Sequence, residues 1–198
     1  MTKAEDRRGQ QRERLIETAE ATIAASGHDA LKARELAAAV GVSLGGLYNL
    51  VGDLDELMLL VSARTLRRLD AALSAAATND DPAERLVAIA LAYCRFARDN
   101  QALWRALFDH RFVEDKPLPD WHARTQLGLF LHLAEPLRRI APHKSDEQRQ
   151  VLARTWFSAV HGVVLLGIAE MLVAVPYDAL EAQIAEMVRM LCAGAERT

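Results

Sequence analysis

The sequence predicts an all-α protein of about nine helices, in which an N-terminal helix-turn-helix unit is joined by its fourth helix to a larger helical bundle. Three observations carry this. Apolar residues recur at three- and four-residue spacing over most of the 198 residues. Only 10 glycines and 6 prolines interrupt them. Finally, Arg34 to Leu57 reads as two short helices around a tight turn, followed at once by a third.

Residues 1–10 are polar and are expected to form a loose arm. The first helix spans about 11–26, with Leu15, Ile16, Ala19 and Ile23 on one face and Gly27 as its stop signal. In the second helix Leu36, Ala37 and Val40 share a face. Gly41 supplies the left-handed conformation that ends it without a Cβ clash. Ser43 is placed to cap the third helix by accepting an amide near Gly46. That helix, about Leu44 to Leu50, buries Leu47 and leaves Gly45, Gly46, Tyr48 and Asn49 near its outer surface. A second helix presented in this way is the element that enters a DNA major groove, so the pattern points to a DNA reader.

Asp53, with Glu56 three residues on, caps a fourth helix carrying Leu57, Leu60, Val61, Leu66, Leu69 and Leu73, which fades at 78–81. Pro82 opens a helix to about Arg98, and Asn100 starts a shorter one through His110. Residues 114–120, with Pro117 and Pro119, read as a loop. A long helix over 121–140 is expected to kink or break near Pro136. Ser145 to Gln148 forms a capping box for a helix over 146–174. Pro176 separates it from a last helix, capped by Asp178 and ending near Gly194. The domains predicted are 1–55, the helix-turn-helix head, and 56–198, the helical body, with the natural boundary inside the fourth helix.

The balance of 24 Lys/Arg against 27 Asp/Glu gives a net charge of −3, and residues 1–60, with 7 and 10, carry all of it. Attraction to phosphate must therefore come from clustering of Lys3, Arg7, Arg8, Arg12, Arg14, Lys32 and Arg34. Cys94 and Cys192 sit in apolar helical surroundings and read as buried free thiols, as in a reducing cytoplasm. The N-terminus lacks the apolar segment of a secretory signal. The most apolar run, Ala159 to Val175, contains His161 and Glu170 and falls short of the roughly 20 residues of a spanning helix. None of the 6 histidines is paired at i, i+4, so no metal and no cofactor is expected.

Leu15-Ile16, Ala19, Gly27, Arg34, Leu36-Ala37, Gly41-Val42-Ser43, Gly45, Leu47-Tyr48 and Glu56-Leu57 resemble the N-terminal domain of the TetR family of bacterial transcriptional regulators. Trp156 and His161-Gly162 resemble the Trp/His-Gly (WHG) subset of that family. The resemblance implies a dimeric regulator whose C-terminal domain binds a ligand. The chain departs from the family at Val51, where a phenylalanine is usual, and at Leu54, where a phosphate-touching lysine is usual. Lys32 replaces the usual threonine or serine cap.

The resemblance gives Tyr48 a phosphate contact. Arg34, at a helix start where the dipole disfavours a cation, reads as a phosphate clamp. Arg12, Lys32, Ser43, Leu44, Gly45, Gly46 and Asn49 complete the candidate DNA face; Asn49 reads as a surface residue or a backbone contact, with adenine pairing as the alternative. An effector pocket in the body would be lined by Trp104, Phe108, Trp121, His132, Trp156 and His161, each of which also fits simple core packing. Ala159, Val163 and Gly167, with Leu180, Ile184, Met187, Val188 and Leu191, suit a four-helix dimer interface.

The partners expected are a double-stranded DNA operator, a small hydrophobic or aromatic effector and a second copy of the chain, with no membrane. The leading expectation is a cytoplasmic, ligand-released repressor on a palindromic site. The alternatives are a helical adaptor that has lost DNA binding, and a helical-bundle enzyme using His161 or His132 as a base.

Overall fold

The structure is a computed structural model describing residues 3–109 and 118–196. Among the described residues it is entirely helical: α1 (Lys3–Ser26), α2 (Ala33–Ala39), α3 (Leu44–Val51), α4 (Leu54–Ala76), α5 (Pro82–Asp99), α6 (Gln101–Asp109), α7 (Asp120–Gly128), α8 (Leu131–Ile140), α9 (Asp146–Ile168) and α10 (Leu180–Ala195), with single 3₁₀ turns at His28–Ala30 and Tyr177–Ala179. Compact packing separates Met1–Arg67 with Asn100–Ala123 from Arg68–Asp99 with Arg124–Thr198. The division falls inside α4, and α6 joins the first unit because Leu103 and Ala106 enter its core. That places it differently from a boundary at residue 55.

In the first unit Leu15, Ile16, Ala19 and Ile23 of α1 pack with Leu36, Ala37, Leu47, Val51, Leu57 and Val61. The Gly41 turn has a φ of 70° and closes α2 as a Schellman motif. Val42 donates to the Ala37 carbonyl at 2.9 Å and Gly41 to that of Ala38 at 3.2 Å. Ser43 Oγ accepts the Gly46 amide at 3.0 Å, and Asp53 Oδ1 accepts the Glu56 amide at 2.7 Å. The expected loose arm is instead helical from Lys3, because α1 continues through the polar residues before its apolar face begins.

The second unit packs α5, α8, α9 and α10 together. The Ser145–Gln148 capping box is present, at 3.2 and 2.8 Å. Three sequence expectations are corrected. The helix over 121–140 breaks at Leu129-Phe130, while Pro136 sits buried inside α8. The helix from 146 stops at Ile168, and Glu170 follows with a φ of 48°. Asp178 lies in the 3₁₀ turn, and α10 starts without a side-chain cap. Finally, α9 is long and apolar enough to cross a membrane by length and composition, its most apolar 18-residue window having a mean hydropathy of 1.6. Its residues Ala153, Trp156, Val160, Val164 and Ile168 form a stripe buried in the bundle. The expected end near His110 and the first part of the 114–120 loop lie outside the described residues.

Burial raises the pKa of the Cys94 thiol and pushes that of Cys192 up to about 11, so both stay protonated and unreactive.

Candidate nucleic-acid interface and body sites

The candidate interface is α3, whose inner side is fixed and whose outer side is open. Leu47 is 0% and Val51 1% exposed, while Leu44, Gly45, Tyr48 and Asn49 are exposed. A Cβ on Gly45 would meet nothing within 4 Å, so a partner backbone can approach there. Gly46 is tighter: a Cβ would lie 3.2 Å from Val42 Cβ and 3.3 Å from Ser43 Oγ. The Ser43 oxygen is committed to the cap, which leaves its hydroxyl proton as a donor. Lys32 pairs with Glu35 at 3.2 Å, and Arg34 is exposed at the start of α2. Leu54, where a phosphate-touching lysine is usual, is half-buried against the core of this unit and presents no charge.

Arg12 does not stand free for phosphate. Its Nε donates to the Leu50 carbonyl at 3.2 Å, and its Nη2 lies 3.9 Å from Glu56. One turn earlier, Arg8 Nη2 donates to the Asn49 carbonyl at 2.6 Å. Both cations thus satisfy carbonyls at the C-terminal end of α3, where the helix dipole favours positive charge. The i, i+4 spacing of Arg8 and Arg12 was visible, but their target was not, since nothing local in sequence links α1 to residues 49 and 50.

The six aromatic and histidine candidates divide between the units. Trp104, fully buried, and Phe108, exposed, pack edge to face at 5.6 Å in the first unit. Trp121 there lines a cavity of about 490 Å³ with Arg12, Glu56, Leu59, Leu60 and Pro119. Next to it His122 is buried with neither ring nitrogen hydrogen-bonded among the described residues, and desolvation lowers its pKa.

In the second unit Trp156 is buried, and His132 Nε2 lies 2.7 Å from Asp70. His161 Nδ1 lies 2.7 Å from the hydroxyl of the buried Tyr93. Phe157 packs against Tyr93, His161 and Phe130 at 5.7, 5.4 and 5.5 Å. In this cluster the Tyr93–His161 polar pair is packed among aromatic rings. Phe157 and His161 share an i, i+4 face that the sequence shows; Tyr93 comes from α5, and only the fold brings it there.

The proposed dimer stripe is partly internal. Leu180, Ile184 and Val188 are buried within the chain, on the α10 face that packs with α5 and α9. A Cβ on Gly167 would come within 2.6 Å of Leu180 Cδ1, so that glycine serves internal packing as well. Ala159, Val163, Met187 and Leu191 remain half-buried. Around them Val151, Leu166, Met171, Leu172, Val173 and Met190 form exposed apolar surface on α9, α10 and their connection.

Residues 86–191 match the family model described as tetracyclin repressor-like, C-terminal domain. That match does not extend to the Trp/His-Gly subset. Among curated proteins, none matches the sequence. Solved structures do resemble it. A protein of unknown function from Rhodococcus sp. RHA1 is 22% identical with a TM-score of 0.75, covering 91% of this chain and 94% of its own. RolR, solved with resorcinol, is 21% identical with a TM-score of 0.66, over 97% and 94%. The TetR-family transcriptional regulator PfmR from Thermus thermophilus is 21% identical with a TM-score of 0.58, over 93% and 97%.

Proposed function

The chain belongs to the TetR family of transcriptional regulators, and on that premise we propose that it is a homodimeric repressor released from a palindromic operator by a small, largely apolar effector. One observation carries the reading: α3 is an independently capped helix with a sealed inner face and an open outer face of Leu44, Gly45, Tyr48 and Asn49. Two such helices in a dimer would enter successive major grooves about 34–36 Å apart. Tyr48 and Arg34 serve phosphates, which fix register, while the side-chain-poor start of α3 favours close backbone approach and shape readout.

The exposed apolar side chains Val151, Leu166 and Met190 on α9 and α10, with Met171, Leu172 and Val173 between them, support self-association, since clustered exposed apolar groups mark interaction surfaces. The Tyr93–His161 pair with Phe157 and Phe130 is the candidate effector contact. The resorcinol bound by RolR has the same aromatic-plus-hydroxyl character. Such a regulator works in the cytoplasm, where its operator is.

The test is binding to the DNA upstream of the coding sequence across a salt series. Tight, salt-sensitive protection of two half-sites, weakened by Tyr48→Phe and by Arg34→Ala, is expected. Absence of a counterion-release slope on any duplex would reject DNA reading in favour of an adaptor role.

A further inference from the structure

The second unit carries a groove of about 640 Å³ along α8 and the first turns of α9, well within the size range of small-molecule sites. Its apolar lining is Leu127, Phe130, Leu131, Ala134, Leu137 and Ala153. At the mouth Leu131 is 74% exposed, an apolar side chain with little of the chain covering it.

The charges around this lining are unevenly spent. Glu135 is held by Arg85 at 2.8 Å and Arg139 at 3.8 Å. Asp146 is held by Arg149 at 2.5 Å, and Arg149 also donates to the carbonyls of Ala141 and Lys144. Both lining carboxylates are therefore neutralised inside the unit. Arg138 and Arg154 also line the groove, and neither guanidinium makes a hydrogen bond or ion pair among the described residues. The groove thus pairs an apolar floor with two uncommitted guanidinium groups.

We propose that this groove binds an amphipathic carboxylate, its anionic head held between Arg138 and Arg154 and its apolar tail laid along Leu127, Phe130, Leu131 and Leu137. A guanidinium fork matches a carboxylate in two parallel hydrogen bonds, which a hydroxyl cannot reproduce. The tail is favoured by the apolar area it removes from water. A neutral ligand forgoes both charged bonds, and a cation meets like charge. The inference goes beyond the regulator reading and shares only Phe130 with the aromatic cluster; its measurement uses no DNA, and Tyr93→Phe separates the two sites.

Calorimetric titration of the full-length protein with octanoate tests it, with 1-octanol supplying the tail alone and acetate the charge alone. Saturable octanoate binding is expected, with octanol and acetate each weaker by about tenfold or more, the scale of a lost charged hydrogen bond. R138Q and R154Q, both at exposed positions, should each weaken octanoate by a similar factor while keeping the wild-type melting temperature. Y93F should leave it unchanged.

The proposal is overturned if octanoate does not bind, if octanol binds as well, or if neither arginine variant weakens it. It is also overturned if Y93F abolishes binding, which would move the ligand to the aromatic cluster. Light scattering on Leu131→Glu supplies the last check. A dimer that persists in this variant supports a ligand groove, whereas conversion to monomer would show that a second copy covers it.

Discussion

The guanidinium of Arg12 donates from α1 to the carbonyl of Leu50, at the C-terminal end of α3, at 3.2 Å. With Arg8 on the Asn49 carbonyl, it fixes where that helix points. This role is separable from a phosphate contact by its salt dependence. Arg12→Gln should weaken operator binding with the slope of log K against log salt unchanged, since no counterion-releasing contact is lost. Arg34→Ala should reduce that slope by about 1. Arg12→Gln should also destabilise the first unit by about 0.3–1 kcal/mol, as expected for a cation removed from a helix C-terminus. Filter binding over a salt series, with urea unfolding alongside, measures both.

Leu47 is the pivot of the same helix. It is 0% exposed in a cluster with Leu15, Ile16, Leu36 and Val51. Leu47→Ala removes packed methyl groups from a site that can only partly collapse, so a loss of about 2–5 kcal/mol is expected. Chemical denaturation should show the loss. Leu44→Ala, at an exposed position on the same helix, should cost under about 0.5 kcal/mol.

What could be read from the sequence was local. Gly41 and Ser43 fixed the turn and cap because a left-handed glycine and an N-cap hydroxyl act within a few residues. The break at Leu129-Phe130 was hidden behind Pro136, the obvious breaker. α8 starts only five residues before that proline, so the missing amide forfeits one bond near the first turn. The α10 stripe announced a buried face but not its partner, which is α5 and α9 inside the chain instead of a second copy. Contacts such as Arg12 with Leu50 and Tyr93 with His161, 38 and 68 residues apart, have no local signature.

His122 makes stability depend on pH. Desolvation by burial lowers its pKa from 6.5, with no hydrogen bond to either ring nitrogen among the described residues, so the folded protein favours the neutral ring. The unfolded chain takes up a proton near pH 6.5, and the folded chain does so only at lower pH. The contribution to stability is therefore full above about 6.5 and falls as pH drops through the depressed folded value. Urea midpoints should decline from about pH 7.5 to about 5.5. In His122→Leu, which cannot titrate and needs no hydrogen bond, that decline should be shallower; an unchanged pH profile would assign it to other groups.

Two glycines of α9 should respond oppositely to alanine. At Gly167 the new Cβ would lie 2.6 Å from Leu180 Cδ1 and 3.0 Å from Cδ2, and Leu180 is itself buried. Overpacking of this kind costs about 1–3 kcal/mol. At Gly162 nothing lies within 4 Å, so alanine adds only helix propensity, about 0.8–1 kcal/mol of stabilisation. Thermal unfolding of the two variants at equal concentration compares the signs.

Self-association should depend on the outer faces of α9 and α10. Leu166 is 39% and Met190 61% exposed within one chain, and Leu172 is fully exposed between these helices. The buried stripe of Leu180, Ile184 and Val188 is unavailable to a partner, so substitutions there should unfold the bundle before they separate copies. Leu166→Glu and Met190→Glu place charge on surface that is already open, at little cost to the folded chain. In a dimer the same carboxylates would be desolvated at the contact, a penalty large enough to dissociate it. Sedimentation should then show a monomer with wild-type helicity, and DNA binding should fall with it, because two half-sites need two heads.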